Sequence, residues 1–254
     1  MKSSKERKTV IVTGGSRGMG EAISRAFYQK GFYVVIGARS DTKLVDELGA
    51  RMVFKKTDVR NESDHRELVK TALKWTRRLD VYINCAGFSF WKPISQVDEK
   101  FLDLMLDVNL KGVFWGCKAA AGALKKDGAI INISSLAGKR GSANNSVYCA
   151  SKFGVNGITQ SLAKELGPKG IRVNAVCPVY VKTKGLLEAL KDKNSPAQGK
   201  DARRFLTDFA QTQSGLKRLP GANEIARTCL FLVSEESSAI TGQCINVDCG
   251  VLPQ

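Results

Sequence analysis

An apolar segment, a glycine-rich turn and a helix follow one another near the start of the chain, and this succession constrains the fold more than any other feature. Thr9–Thr13 (TVIVT) is a continuous apolar run of the kind found in buried parallel strands. The turn GGSRGMG comes next, and the helical pattern EAISRAFYQKG ends at Gly31. Glycines let a backbone approach a phosphate closely, and a helix N-terminus supplies unpaired N–H groups and a partial positive charge. The succession therefore predicts a phosphate-binding turn, although a plain tight turn uses the same residues.

The alternation of strand and helix continues through the chain. Apolar runs predict seven strands, at residues 9–13, 32–36, 51–55, 80–84, 129–133, 171–176 and 242–248. Amphipathic patterns predict helices between them, which implies a parallel sheet with right-handed crossovers. We therefore expect an α/β protein: a single doubly wound domain over residues 1–254, with a mostly parallel seven-stranded sheet and helices on both faces. Residues 1–8 are expected to form a flexible tail.

The chain is strongly basic. It has 40 Lys and Arg residues against 24 Asp and Glu, a net charge of +16 at pH 7. Such an excess signals attraction to polyanions or a host-specific preference for solubility, so nucleic acid is one hypothesis. Against it, the charge is spread along the chain, and no RNP-like motif, zinc-finger spacing or basic region joined to heptads is present. Anionic small molecules match this pattern better.

Histidine content, cysteine spacing and hydropathy exclude several classes of protein. The single histidine, His65, leaves no histidine-based metal site and no Ser-His-Asp triad, so no metal is predicted. Seven scattered cysteines without a Cys-x-x-Cys pair are typical of reduced, buried thiols. No apolar run reaches the roughly 20 residues that cross a bilayer, and the N-terminus lacks the apolar core of a secretory signal. We therefore expect a cytoplasmic protein without a membrane partner.

The end of the second strand indicates which dinucleotide the chain would bind. In a dinucleotide fold this point faces the adenosine ribose, where an acidic side chain binds the 2′-OH and an arginine accommodates a 2′-phosphate. The chain has Ala38, Arg39 and Ser40 here, while Ser16 and Arg17 lie in the glycine turn. Their guanidinium and hydroxyl groups can surround one phosphate. We therefore predict NADP(H) in preference to NAD(H); the alternative is a pair of solvated surface arginines.

A tyrosine and a lysine stand four residues apart in the stretch SLAGKRGSANNSVYCASK, residues 135–152. Positions i and i+4 share one face of a helix, so the phenol of Tyr148 and the ammonium of Lys152 would lie together. An ammonium about 4 Å away in a partly desolvated site lowers a tyrosine pKa by up to roughly three units, which suits a general acid/base. A tyrosine and a lysine that are ordinary neighbours on a helix surface have the same spacing.

Asn109 falls within a long helix predicted at residues 98–125. A buried amide needs hydrogen-bond partners, so Asn109 either belongs to a structural network or points into a site.

Taken together, these motifs resemble the short-chain dehydrogenase/reductase family. The resemblance rests on TGGSRGMG, NCAG, Asn109, the ISS run that ends at Ser135, YCASK and the proline after RVNAV. It implies a Rossmann-like NAD(P) enzyme in which Tyr148 is the general acid/base and Ser135 hydrogen-bonds the substrate oxygen. Lys152 would hold the nicotinamide ribose and lower the pKa of the tyrosine. Asn109 would anchor a water molecule that links the lysine to solvent.

The resemblance also implies a set of cofactor-binding residues. Asp58 matches the family's adenine contact, and Thr183 matches a hydroxyl near the nicotinamide carboxamide. The predicted set is Gly14, Ser16, Arg17, Gly18, Met19, Gly20, Arg39, Ser40, Asp58, Val59, Asn84, Ala86, Gly87, Tyr148, Lys152, Pro178 and Thr183.

Two positions depart from the family pattern. Cys85 replaces the second asparagine of the turn after the fourth strand, and Val179 replaces a glycine. A β-branched residue resists positive φ, so we expect the backbone beside the nicotinamide to run differently.

Residues 179–220 are too long for a plain loop and resemble the family's substrate lid. Two short helices are predicted within them, at residues 185–191 and 201–211. Nine basic residues outnumber four acidic ones there, which suggests an anionic substrate such as a sugar phosphate, a nucleotide sugar or a carrier-bound acyl group. Solvated helix faces on an already basic protein are the alternative.

The predicted function is that of an NADP(H)-dependent oxidoreductase that interconverts a ketone and a secondary alcohol, on a small-molecule or carrier-bound substrate. The alternative is a non-catalytic NADP(H)-binding regulator or scaffold on the same fold. Small residues at helical spacing mark two helices and predict helix-to-helix contact in a homodimer or homotetramer; burial against the chain's own sheet would use the same residues. They are Gly112, Gly116, Ala119 and Ala123 on the long helix, and Ala150, Gly154, Gly157 and Ser161 on the helix of Tyr148.

Overall fold

A computed structural model describes residues 8–40 and 43–253. The predicted tail at residues 1–8 lies, apart from Lys8, outside the described residues. The strands are β1 Thr9–Thr13, β2 Tyr33–Ala38, β3 Met52–Lys56, β4 Val81–Asn84, β5 Ala129–Ile133, β6 Arg172–Pro178 and β7 Cys244–Val247. They form one seven-stranded sheet in the order β3-β2-β1-β4-β5-β6-β7, and every neighbouring pair is parallel. The predicted fold class is confirmed.

Helices cover both faces of the sheet. Within the described ranges they are α1 Gly18–Gln29, α2 Leu44–Leu48, α3 Glu62–Thr76, α4 Glu99–Leu106, α5 Gly112–Ala121, α6 Ser146–Leu166, α7 Lys184–Ala189, α8 Ala202–Gln213 and α9 Ala222–Val233. Successive residues of a strand point to opposite faces. Val10 and Val12 of β1 therefore pack with the apolar residues of α1 and α9, whereas Ile11 packs with those of α3, α5 and α6.

The long helix predicted at residues 98–125 is interrupted. Asp98 caps its start by accepting a hydrogen bond from the Phe101 N–H at 2.8 Å. Between α4 and α5 the backbone forms a π-helical turn, Asp107–Lys111, and Asn109 lies at its centre. Such turns hold one residue more than an α-helical turn and are frequent at functional sites.

Gly112 and Gly116 of the long helix pack within the chain itself, which is the alternative that the sequence left open for these small residues. A Cβ at Gly112 would lie 3.0 Å from Val59 Cγ2, and one at Gly116 would lie 2.0 Å from Asn84 Oδ1. Both glycines are buried against neighbouring elements. On α6, in contrast, Gly157 is exposed and a Cβ there would meet nothing within 4 Å.

Across residues 8–40 and 43–253, no helix combines the length and the apolar character that crossing a membrane requires.

Candidate active site

The predicted site residues follow the carboxyl ends of the strands. The glycine turn follows β1, Arg39 follows β2, Ala86 and Gly87 follow β4, and Ser135 follows β5 shortly after its end. Because the sheet is parallel, these ends share one edge, which is where open α/β sheets bind ligands.

The glycine turn is a close-packed cradle. Gly14 and Gly18 have φ values of +67° and +58°, which L side chains rarely adopt. A Cβ at Gly14 would lie 2.8 Å from the Ala86 Cα, and one at Gly20 would lie 2.1 Å from the Gly14 carbonyl oxygen. The Arg17 side chain makes no capping hydrogen bond at the start of α1. A helix N-terminus without a side-chain cap, approached through glycines, fits the pyrophosphate of a dinucleotide.

The residues predicted around the adenosine ribose lie next to this cradle. Arg17, Arg39 and Ser40 are exposed, whereas Ser16 is buried within the turn. The Thr57 N–H donates to the Ala38 carbonyl at 2.9 Å, so the segments that carry Arg39 and Asp58 leave the sheet side by side.

The predicted adenine contact, Asp58, is already engaged by a neighbour. Arg60 donates to both of its carboxylate oxygens, with an ion-pair distance of 2.6 Å between Nη2 and Oδ2. The hydrogen bonds from the Arg60 side chain are the main reason that the pKa of Asp58 is lowered. Beside it, the Val59 carbonyl accepts a hydrogen bond from His65 Nε2 at 2.9 Å, while His65 Nδ1 lies 2.8 Å from the Tyr82 hydroxyl.

Tyr148 and Lys152 lie in the first turns of α6, on the side that faces the end of β5. Lys152 is only 4% exposed, and its Nζ donates to the Ile133 carbonyl at 2.8 Å. The same Nζ lies 5.7 Å from the centroid of the Tyr148 ring. Burial lowers the pKa of Lys152 to about 8.

The structure corrects the prediction that the lysine lowers the pKa of the tyrosine. Desolvation raises the pKa of Tyr148 to about 12, opposed by a hydrogen bond with the Ser135 side chain. The ammonium faces a backbone carbonyl instead of the phenol oxygen, which explains why it does not offset the desolvation. At neutral pH the phenol is therefore protonated.

Asn109 is held rigidly by the π turn and by its own hydrogen bonds. Its Oδ1 accepts from the Phe88 N–H at 3.0 Å, and its Nδ2 donates to the Phe88 carbonyl at 2.8 Å. A Cβ at Gly87 would lie 2.9 Å from Asn109 Oδ1 and 3.8 Å from Lys152 Nζ, so these groups surround one small space. The side chain of Asn109 orders the loop after β4 beside the lysine.

Asn84 is placed differently from the prediction. Its side chain points into the core, is only 2% exposed, and donates to Asn132 Oδ1 at 2.9 Å. Asn132 in turn donates to the Thr159 hydroxyl at 2.9 Å. The structure therefore gives this amide a role in joining β4, β5 and α6, not in contacting a cofactor through its side chain.

The segment after β6 takes an ordinary backbone course. Val179 is not among the non-glycine residues with positive φ in the described chain, and it packs against a small cluster that contains Leu136 and Cys177. We expected the backbone to run differently where Val179 replaces the family's glycine, but the φ angle of Val179 is not in the strained, positive region. Thr183 caps α7 by accepting from the Leu186 N–H at 3.2 Å, and its Cγ2 would lie 3.5 Å from a Cβ at Gly18. The lid and the glycine turn therefore meet at Thr183.

Comparison with known proteins assigns this arrangement to a family. The chain matches a family model described as enoyl-(acyl carrier protein) reductase over residues 14–252. A 3-oxoacyl-(acyl-carrier-protein) reductase FabG of Chlamydia muridarum is 34% identical over 256 residues, covering 96% of this chain and 97% of the relative. The solved structure of a short-chain dehydrogenase/reductase from Brucella melitensis, named as a glucose/ribitol dehydrogenase, is 32% identical, with a TM-score of 0.87 and 100% of both chains covered. The chain belongs to the short-chain dehydrogenase/reductase family.

A further structure of a short-chain dehydrogenase/reductase fold is that of an actinorhodin polyketide ketoreductase variant with NADPH. It has a TM-score of 0.89 and 27% identity over 98% of both chains. This chain is an oxidoreductase of the family, whose members use a nicotinamide cofactor. No cluster of three or more metal-ligating His, Cys, Asp or Glu side chains occurs in the described part of this chain.

Two residues near the short-chain dehydrogenase site are not identified by the sequence motifs. Arg60 binds Asp58, and His65 supports the Val59 carbonyl. The spacing of Asp58 and Arg60 offered a signal, because side chains two residues apart in an irregular segment can pair. The sequence offered no such signal for His65, because helical spacing does not reveal which loop a side chain will contact.

Proposed function

We propose that this chain is an NADP(H)-dependent oxidoreductase that interconverts a ketone and a secondary alcohol, with Tyr148 as general acid/base. The observation that carries the proposal is the placement of Tyr148, Ser135 and Lys152 together at the end of β5, on the sheet edge that also holds the glycine cradle. The test is NADPH oxidation measured with and without a panel of ketones. A chain that binds NADPH and turns over none of them would be the non-catalytic regulator instead.

Ketone reduction requires a general acid that holds a proton at neutral pH, and Tyr148 meets this requirement. With a pKa of about 12, Tyr148 carries its proton at neutral pH and can donate it to a carbonyl oxygen. Ser135 lies near the phenol, and because its Oγ accepts from the Ala137 N–H at 3.1 Å, its own O–H can donate to the same oxygen. As the phenol gives up its proton, the buried Lys152 ammonium stabilises the negative charge that develops nearby. The reduced nicotinamide, when bound, supplies the hydride.

We expect the pH profile of this reaction to report Lys152. Its pKa is lowered to about 8, so the ammonium is present below that pH and lost above it, while Tyr148 keeps its proton to about 12. The value of kcat/KM for NADPH in ketone reduction should be level from about pH 6 to 7.5 and fall tenfold per pH unit above about pH 8. A fall that begins only near pH 10 would show that the lysine charge is not required.

The preference for NADP(H) is proposed to depend on Arg39. Charged hydrogen bonds to phosphate contribute about 1.5–3 kcal/mol, so Arg39→Ala should weaken NADPH binding by roughly 10- to 100-fold. NADH has no 2′-phosphate, and its dissociation constant should change less than about threefold. Fluorescence titration of both cofactors checks this; an equal loss for both would mean that Arg39 does not recognise the phosphate.

The substrate class is proposed from the lid. Its packed part is aromatic: Tyr180 lies 4.9 Å from Phe209 and 5.8 Å from Phe205, measured between ring centroids, and Trp91 is buried in the same cluster. Its basic residues are exposed to solvent. We propose a substrate with an apolar or ring-shaped body under the lid and an anionic or carrier-bound end outside it. The names of the FabG relative and of the polyketide ketoreductase support a carrier-bound carbonyl.

A homodimer or homotetramer is proposed from the outer faces of α5 and α6. Phe114 of α5 and Phe153 of α6 are 48% and 49% exposed. Large exposed apolar side chains on adjacent helices indicate an interaction surface. The mass from light scattering should be at least twice 27.6 kDa, and the double variant Phe114→Glu, Phe153→Glu should lower it to that of the monomer. An unchanged mass would place the contact elsewhere.

A further inference from the structure

A surface pocket lies between α6, the segment that follows β5 and the start of β7. Its volume is about 530 Å³, within the range of roughly 300–1,000 Å³ that is usual for ligand pockets. The polar and aromatic side chains that line it belong to Lys139, Phe153, Asn156, Gln160, Gln243 and Cys244. No carboxylate of the described chain is among the lining groups. One ammonium and three carboxamides favour an anionic ligand with peptide-like groups.

Two cysteines of neighbouring strands meet beside this pocket. Ala175 of β6 pairs with Cys244 of β7, so Cys177, two residues beyond Ala175, lies on the same face of the sheet. Cys177 and Cys244 pack in the same small cluster. The Cys177 thiol is fully buried, whereas Cys244 is half-buried and lines the pocket.

The buried thiol and the pocket's ammonium both favour the thiolate of Cys244. The hydrogen bond that Cys177 donates is the main reason that the pKa of Cys244 is lowered, and Lys139 contributes in the same direction. The same hydrogen bond raises the pKa of Cys177, which therefore keeps its proton. That S–H also reaches Asn156 Oδ1 at 3.9 Å, but an ionised sulfur is a stronger acceptor than a neutral amide.

The other cysteines lack this environment. Cys117, Cys149 and Cys229 are buried. Cys85 and Cys249 are half-buried, but desolvation raises the pKa of Cys85 to about 12 and also raises that of Cys249. Access from solvent and stabilisation of a thiolate therefore coincide at Cys244, and the thiolate is the reactive form of a cysteine.

We propose that Cys244 is a thiol-modification site for an anionic low-molecular-weight disulfide, such as that of a tripeptide with free carboxylates. Lys139 binds a carboxylate of the incoming molecule, and the carboxamides face its peptide groups. The Cys244 thiolate attacks one sulfur, and its electron pair forms the new S–S bond. The old S–S bond breaks, and the departing thiolate takes a proton from water. The incoming disulfide is the oxidant, so the products are a mixed disulfide on Cys244 and one free thiol.

The strand register explains why the reaction stops at the mixed disulfide. The offset of two residues separates the Cα atoms of Cys177 and Cys244 by about 6.6 Å along the strands and about 4.8 Å across them, or roughly 8 Å in all. A disulfide needs Cα atoms within about 7 Å. Cys177 therefore acts as a hydrogen-bond donor to Cys244 and does not displace the bound group.

The experiment incubates the native chain with glutathione disulfide and follows the adducts by intact mass and peptide mapping. One glutathionyl group should be added, at Cys244, and Cys244→Ser should remove it. Cys249→Ser is the matched control because Cys249 is also half-buried, and its rate should stay within about twofold of the wild-type rate.

Two positions test the environment of the thiolate. Cys177→Ala should move the pH of half-maximal rate upward by about one unit, whereas Cys177→Ser, which keeps an O–H donor, should restore the wild-type profile. On the plateau of that profile, where the thiol is ionised, Lys139→Gln should slow the reaction with glutathione disulfide by about three- to tenfold. The rate with the uncharged hydroxyethyl disulfide should change by less than about twofold.

Four results would overturn the proposal. They are an adduct at Cys85 or Cys249 instead, an internal disulfide between Cys177 and Cys244, equal slowing of both disulfides by Lys139→Gln, and an unreactive Cys244 in the native chain. The native assembly is the right sample, because Phe153 lines the pocket and also belongs to the proposed subunit contact. The readouts are masses and rates that need neither cofactor nor ketone, so they do not depend on the proposed function.

Discussion

Ketone-dependent NADPH oxidation should fall by about 10²- to 10⁴-fold when Tyr148 is replaced by phenylalanine, the range expected for loss of a general acid. The change removes one oxygen and leaves the ring. The phenol of Tyr148 keeps its proton at neutral pH and lies near both Ser135 and Lys152. The measurement is initial velocity with a ketone that the wild-type chain reduces.

Binding and stability must be separated from chemistry in that experiment. NADPH affinity and melting temperature should stay close to the wild-type values, because the glycine cradle and Arg39 are untouched. Tyr33→Phe is a matched control: Tyr33 begins β2, at the end of the sheet opposite the site, and packs on Trp75 at a centroid distance of 5.1 Å. Turnover by Tyr148→Phe equal to that of the control would refute the assigned role.

Replacing Gly116 by alanine should destabilise the chain by about 3 kcal/mol or more, the upper range for overpacking a core. Its Cβ would lie 2.0 Å from Asn84 Oδ1 and 3.0 Å from Tyr82 Cε1. Neither side chain can easily give way, because Asn84 is bonded to Asn132 and Tyr82 is fully buried. For a chain of this size the melting temperature should fall by roughly 6–12 °C, which calorimetry can measure.

Gly157→Ala is the control for this substitution. Gly157 also lies within a helix, but a Cβ there would meet nothing within 4 Å. The gain in helix propensity should stabilise the chain by up to about 1 kcal/mol. If both variants lose stability equally, the close contact between Gly116 and Asn84 is not what limits substitution.

Most of the fold was predictable because each buried strand is a continuous apolar run. β1 and β5 were located to the residue, since five consecutive buried positions admit little else. The π turn was not predictable, because helical periodicity on either side of Asn109 looks unbroken over such short lengths. The strand ends were also ambiguous. Whether Asn84 faces the cofactor edge or the core depends on where β4 stops, and the sequence does not mark that point.

The electrostatics of the site were harder to predict than its residues. Spacing placed Tyr148 and Lys152 on one helix face, which the structure bears out, but it did not reveal that the ammonium takes the Ile133 carbonyl as its partner. The pKa of a half-buried phenol depends on such choices more than on sequence separation. The same holds at Asp58, because its spacing from Arg60 suggests an ion pair but does not establish that the two side chains meet.

The π turn limits which deletions the long helix can accept. An α-helix rotates by about 100° per residue, so the extra residue offsets the inward side of α4 from that of α5 by that angle. Met105 before the turn and Gly116 after it are both buried in this offset arrangement. Deleting any one residue between positions 107 and 111 would swing one half of the helix, and with it either Asn109 or Gly116, out of place. The number of residues in this turn is therefore constrained more tightly than their identity.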